Sequence, residues 1–187
     1  LWFTSGGGLK KLNPERTAFT TWTVNPNDEF SLKSNEVLWL LLTEAGNLVI
    51  CTSEGMQSVF LDQKAFGLLR HKTGDLNSLA SNAIVSIGGD DGDDIWIGTN
   101  GAGLDRWNKK TRKITHYQNN PKDPNSLGSN YVNAILNDPG VDLWVGNMEY
   151  LSRFKKETGQ FENFNGNSRK LEELQAKIIQ AICRDKD

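Results

Sequence analysis

The chain has few of the residues that bring metals, disulfides or acid–base chemistry. Among 187 residues there are two cysteines, two histidines, two methionines and five prolines. Cys51 and Cys183 stand far apart and lack CxxC spacing, so both read as free buried thiols, neither a disulfide nor a zinc pair. The formal net charge is -2, which excludes the basic surface that nucleic-acid binding needs. The longest apolar run, Val37-Leu38-Trp39-Leu40-Leu41-Leu42, is strand-sized and far short of the roughly 20 residues that span a bilayer. No secretory leader is present, but the first residue is Leu1 and not Met, so the chain reads as a piece of a longer protein. His71 and His116 lie in no metal-ligand spacing and read as a solvated and a structural histidine respectively.

What the chain does have is glycine, tryptophan and a period. There are 18 glycines and six tryptophans. Ile95-Trp96-Ile97-Gly98-Thr99-Asn100-Gly101-Ala102-Gly103-Leu104 is an apolar strand, a glycine turn and the start of a second strand. Its relatives begin at Leu1-Trp2, Leu48-Val49 and Leu143-Trp144. From Trp2 to Val49 to Trp96 to Trp144 the steps are 47, 47 and 48 residues. A fixed period of this size marks a repeat architecture. A polar loop recurs in register as Asp28 to Asn35, Asp75 to Asn82 and Asp123 to Asn130, with the shared pattern D-x-x-S-L-x-S-N. Because it recurs in each repeat, its Ser and Asn read as caps for the loop's own backbone, not as ligand donors.

After each loop comes an apolar strand, with Val37 and Leu40, Ile84 and Ile87, and Val132 and Ile135 in matching places. That spacing of three breaks strict alternation and predicts a bulge. A hairpin turn of Gly, Asn and Asp follows, then the W-I-G-T strand, whose Gly98 and Gly146 predict a neighbour too close for a side chain. Two further strands complete the repeat. Four short antiparallel strands in about 47 residues are the size of one propeller blade. The expected fold is all-β, a β-propeller of four-stranded antiparallel blades, cut from a larger ring. Residues 1–22 supply the last three strands of a blade. Residues 36–69, 83–117 and 131–164 form blades, 165–177 is irregular or a short helix, and 178–185 is the first strand of a further blade. An amphipathic helix over 168–183 is the alternative, since Leu171, Leu174, Ile178 and Ile182 share a helical face. Residues 178–185 are also placed to close the partial blade of 1–22.

The string N-S-L-x-S-N, an apolar strand, D-x-x-G-x-L/I-W-I-G-T, G-G-L and K-F-x-x-Y resembles the two-component regulator propeller repeat. Asn77 to Tyr117 carries nearly the whole pattern. Val49, Met56 and Met148-Glu149-Tyr150 depart from it. The resemblance implies a seven-bladed propeller in the periplasmic sensor region of a Bacteroidetes hybrid two-component histidine kinase, responding to glycan-derived oligosaccharides. It implies a non-catalytic segment of a parent that is a histidine kinase. The alternatives are a propeller lyase or hydrolase, or a structural, protein-binding propeller. The expected partners are an oligosaccharide and either the remaining blades or another copy of the chain at exposed strand edges. No nucleic acid and no membrane contact are expected.

No catalytic constellation, cofactor or metal is expected. The acidic turn Asp90-Asp91-Gly92-Asp93-Asp94 reads as a rim hairpin and not a calcium loop, because it lacks spaced ligands. The glycine turns Gly6-Gly7-Gly8 and Gly101-Ala102-Gly103 precede strands, so they offer no helix terminus to a phosphate. Ligand residues are sought where repeats differ near the start of the innermost strand. Trp39 stands against Ser86 and Ala134, and Tyr131 against Glu36 and Ala83. Aromatic rings at both places are candidates for stacking on a sugar.

Overall fold

A computed structural model describes residues 1–28, 31–43, 46–60, 65–89, 92–138, 142–165 and 178–185. The described residues form β-strands and no helix. A three-stranded sheet holds β1 (Trp2–Ser5), β2 (Gly8–Leu12) and β3 (Phe19–Trp22). Three four-stranded sheets follow, each an antiparallel meander in chain order. The first is β4 (Val37–Leu42), β5 (Leu48–Thr52), β6 (Gly55–Phe60) and β7 (Ala65–Leu69). The second is β8 (Ile84–Gly89), β9 (Asp94–Thr99), β10 (Leu104–Asn108) and β11 (Ile114–Tyr117). The third is β12 (Val132–Asn137), β13 (Leu143–Asn147), β14 (Leu151–Lys155) and β15 (Gln160–Phe164). Each four-stranded sheet is a propeller blade, and the all-β expectation holds.

The first strands of the four-stranded sheets lie side by side, β4 against β8 and β8 against β12, and β1, which matches a second strand, lies against β4. The blades therefore stack in chain order around a line marked by these inner strands. The predicted bulge is present in all three, between Val37 and Trp39, Ile84 and Ser86, and Val132 and Ala134. Each bulge adds a residue on the axial side and lets the strand twist past its neighbour.

Burial is concentrated between blades. Val49, Met56, Leu79, Ile84, Ile95, Ile97 and Ile114 form one cluster between the first and second four-stranded blades. Trp96, Leu104, Leu127, Val132, Leu143, Val145, Phe154 and Phe161 form its counterpart between the second and third. Seven positions match at the repeat step, and Phe154 takes the place of the partly buried Trp107, so the two inter-blade contacts are built alike from different side chains. Gly98 is required by this stacking, because a Cβ there would meet Val132 Cγ1 at 2.6 Å. The glycine that opens each third strand is required for another reason. Gly8, Gly55 and Gly103 have φ of 100°, 121° and 93°. The fourth repeat lacks the glycine turn and instead holds Glu149 at φ 72°.

The S-L-x-S-N loops cap themselves. Ser78 Oγ donates to the Asp75 carbonyl at 2.9 Å and accepts Lys72 N–H at 2.9 Å. Asn82 Oδ1 accepts His71 N–H at 2.7 Å. Ser126 and Asn130 repeat these bonds, accepting Asn120 N–H at 2.9 Å and Asn119 N–H at 2.7 Å, as Ser31 and Asn35 do for Asn25 and Val24. The loop leucines Leu32, Leu79 and Leu127 are buried beneath.

One expectation needs correction. Cys51 is buried, but Cys183 is exposed. The reason is that the segment carrying it pairs only at its start. Ile178 bridges Met148, and Ile179 N–H donates to the Asn147 carbonyl at 3.2 Å. Beyond that, Arg184 meets Asp138 at 2.9 Å. Residues 178–185 are thus extended against the β12–β15 blade. The bridge of Met148 to Ile178 repeats that of Asn100 to Tyr131, the residue just before β12. Of the expected irregular segment or short helix over 165–177, residues 166–177 lie outside the described residues. Burial pushes the Cys51 thiol up to about 12. A thiol reagent at neutral pH is therefore expected to label Cys183 alone in the native chain and both cysteines after unfolding, as counted by mass spectrometry. Labelling of native Cys51 at the same rate would contradict its burial.

Candidate ligand site at the inner strands

Tyr131 stands just before β12 and is held from both sides. Its residue bridges Asn100 in the turn after β9, and Asn100 N–H donates to the Ala83 carbonyl at 2.8 Å. Gly101 and Gly103 N–H both donate to the Asn130 carbonyl, at 3.1 and 2.9 Å. These bonds lock the glycine turn of one blade to the entry of the next. Gly101 has φ 95°, and a Cβ there would touch the Tyr131 ring at 3.5 Å. The ring lies against bare backbone and remains 46% exposed.

Beside it is an open pocket of about 420 Å³, lined by Val85, Asn100, Tyr131, Asn133, Met148 and Gln180, with Ile178 at its edge. Val85 and Asn133 are the bulge residues of β8 and β12, and Gln180 is their equivalent in the terminal segment. None of the lining residues is charged. The pocket therefore offers one aromatic ring and three amides, a set suited to a neutral, hydroxyl-rich ligand.

Trp39 is elsewhere. It sits on β4 opposite Cys51 and is 43% exposed, but it does not line this pocket. Its equivalents Ser86 and Ala134 are buried between blades, and Ser86 Oγ donates to the Val132 carbonyl at 2.9 Å. The structure thus places the two candidate aromatics in different surroundings. Asn100, Asn133 and Gln180 were not singled out in the sequence. The signal of Asn133 and Gln180 was weak, a polar residue in a column that carries Leu38 and Val85 in other repeats, and Asn100 lies in the turn column of Ser53 and Met148.

The remaining polar clusters are structural. Asp105 is fully buried and accepts Ala80 N–H at 2.8 Å, gripping the preceding loop. Gln57 does the same for Lys33 N–H at 2.9 Å. His116 Nδ1 lies 2.7 Å from Asp105, and its Nε2 lies 3.0 Å from the Leu76 carbonyl. His71, expected to be solvated, has Nδ1 2.6 Å from the Leu79 carbonyl, because the loop curls back over it. Asp94 is held by Arg106 and, at 2.7 Å, by Asn108 Nδ2. Asp90 and Asp91 of the acidic turn lie outside the described residues. Among the described residues no three metal-ligating groups converge, and no helix is long and apolar enough to cross a membrane.

Burial opposes protonation of His116, but the Asp105 hydrogen bond, the Leu76 carbonyl and the Asp105 charge outweigh it and raise its pKa above the usual 6.5. Burial raises Asp105 as well, against the pull of His116 and Ala80 N–H. A raised folded-state pKa gives stability that is full below the unfolded value and is lost as pH rises through the folded one. Unfolding free energy should therefore fall as pH climbs from about 6.5, and this fall should vanish in His116→Gln. A urea midpoint series across neutral pH checks it, and identical slopes in both proteins would refute it.

Comparison with solved structures gives the fold its company. The WD40 repeats of RRP9 align with a TM-score of 0.53 at 10% identity, over 71% of this chain and 39% of that one, a likeness of fold alone. Two extracellular domains from B. thetaiotaomicron align more closely. That assigned to the hybrid two component system BT3049 is 28% identical, with a TM-score of 0.70 over 79% of this chain and 20% of that one. That of BT4673, described as a one component system, is 19% identical, with a TM-score of 0.74 over 99% of this chain and 23% of that one. The repeat resemblance and the structural likeness thus point to the same group of proteins. The chain spans about a fifth of the length of these two structures. No protein-family model matches the sequence, and no curated protein matches it.

Proposed function

We propose that this chain is part of the extracytoplasmic sensor of a two-component system, and that its inner-strand pocket binds a glycan-derived oligosaccharide. The observation that carries the reading is the uncharged pocket of about 420 Å³, where Tyr131 faces three amides. A sugar ring stacks on the phenol, and its hydroxyls bond to Asn100, Asn133 and Gln180. The parent protein is a periplasm-facing hybrid histidine kinase, and the remaining blades complete a seven-bladed ring. Binding acts by favouring one of two arrangements of the sensor, which the parent passes across the membrane. The likeness to the extracellular domains BT3049 and BT4673 supports this reading.

The test is a melting-temperature screen of the chain against neutral oligosaccharides. A hit raises the melting temperature in proportion to the logarithm of ligand concentration. The rise should disappear in Tyr131→Ala and persist in Trp39→Ala. A second reading, a protein-binding propeller, is favoured by one feature. Leu38 at the bulge of β4 is 47% exposed next to Trp39 at 43%, an apolar pair that suits protein cover. Loss of a hit in Trp39→Ala but not in Tyr131→Ala would move the ligand site to that pair.

A further inference from the structure

In three of the four repeats the second strand carries the same three-part stack. An indole on the second strand meets an aromatic ring on the fourth. The pairs are Trp2–Trp22 at 5.2 Å and 36°, Trp96–Tyr117 at 5.7 Å and 35°, and Trp144–Phe164 at 6.1 Å and 34°. A cation from the third strand lies over each indole, Lys11 at 5.1 Å, Arg106 at 5.5 Å and Arg153 at 5.8 Å. In the repeat of β4 to β7 every member is replaced. Val49 stands for the indole, Leu69 for its aromatic partner and Ser58 for the cation.

A cavity of about 300 Å³ opens at that place, lined by Val49, Ser58 and Leu69, with Met56 and Trp107 completing its apolar wall. The neighbouring blade brings two cations to it, Lys109 and Arg112. Their turn is fixed in position. Asn77 Oδ1 accepts Ile114 N–H at 2.8 Å, Asn77 Nδ2 donates to the Arg112 carbonyl at 3.3 Å, and Lys109 Nζ donates to the Gly92 carbonyl at 2.8 Å. The smaller side chains Val49, Ser58 and Leu69 leave this place less filled by the chain than its equivalents in the other repeats.

We propose that this inter-blade cavity binds a small aromatic anion, with the ligand's ring taking the place of the missing indole and its carboxylate facing Lys109 and Arg112. The site is separate from the inner-strand pocket and does not depend on the sugar-sensing reading.

Indole-3-acetate is the probe, titrated into the chain by calorimetry. Hexanoate and neutral indole serve as controls. Indole-3-acetate should bind saturably and at least about tenfold more tightly than either control. Val49→Trp should weaken it by at least about tenfold and raise the melting temperature by filling the void. Should that variant misfold, Arg112→Glu, on an exposed turn, should weaken indole-3-acetate about tenfold and leave indole unchanged. Tyr131→Ala should have no effect. No saturable binding of indole-3-acetate up to about 5 mM, full binding by a folded Val49→Trp chain, or loss of binding in Tyr131→Ala would each overturn the site. Equal affinity for indole and indole-3-acetate would overturn the anion.

Discussion

Trp96→Ala should destabilise the chain by about 3–5 kcal/mol, while Val49→Ala, at the equivalent position one blade earlier, should cost only about 1–2 kcal/mol. Trp96 is 1% exposed and packs between two blades. Its ring lies 5.1 Å from Phe154 and 5.7 Å from Tyr117, and Arg106 covers it at 5.5 Å. Removing it empties an indole-sized volume in a close-packed place and exposes the facing rings to a void. Each aromatic pair is worth a further ~0.5–1.5 kcal/mol beyond area. Its Nε1 is buried without a hydrogen-bond partner, so Trp96→Phe should recover part of the loss. Val49 already borders a cavity and has less to lose. Urea denaturation of the three variants, followed by circular dichroism, measures this. Equal costs at Trp96 and Val49 would show that face-to-face blade packing does not hold the chain together.

The second large effect tests the recurrent loops. Leu79→Ala should cost about 2–5 kcal/mol, and Leu76→Ala in the same loop should stay within about 0.5 kcal/mol. Leu79 is 1% exposed and sits in the cluster with Val49, Ile84 and Ile114. Leu76 is 87% exposed. The loop backbone is already tied by Ser78 and Asn82, so Leu79 acts as the plug that anchors a preformed cap between blades. If Leu79→Ala were nearly silent, the loop would be a surface device and its Ser and Asn would return as ligand donors.

The fold was legible because its signals repeat. One D-x-x-S-L-x-S-N loop is an ordinary turn, but three in register define a unit. The bulges followed from the spacing of Val37 and Leu40, and the close approach at Gly98 from a glycine inside an apolar strand. The site was less legible. The places where repeats differ single out both Tyr131 and Trp39, and the fold sets only Tyr131 beside the inner-strand pocket. One residue of difference along a bulged strand decides whether a side chain faces the axis or the next blade, and spacing alone does not fix the bulge to the residue. Asn133 and Gln180 were hidden because a polar residue in a strand column has the same sequence signature as a solvated edge. Cys183 lies exposed because the terminal segment pairs at Ile178 and Ile179 and not beyond, which apolar periodicity alone does not show. The missing stack at Val49 was visible as one odd residue. Its companions Ser58 and Leu69 gained meaning only once three other stacks supplied the template.

The most direct test of the account is to map bound oligosaccharide on the chain by amide chemical shifts. The screening hit is titrated into isotope-labelled protein, and the shifted residues are located. The account predicts saturable shifts grouped at Asn100, Tyr131, Asn133 and Gln180, absent in Tyr131→Ala. Saturable shifts grouped instead on the outer strands β7, β11 and β15, or no saturable shifts with any neutral glycan, would contradict it.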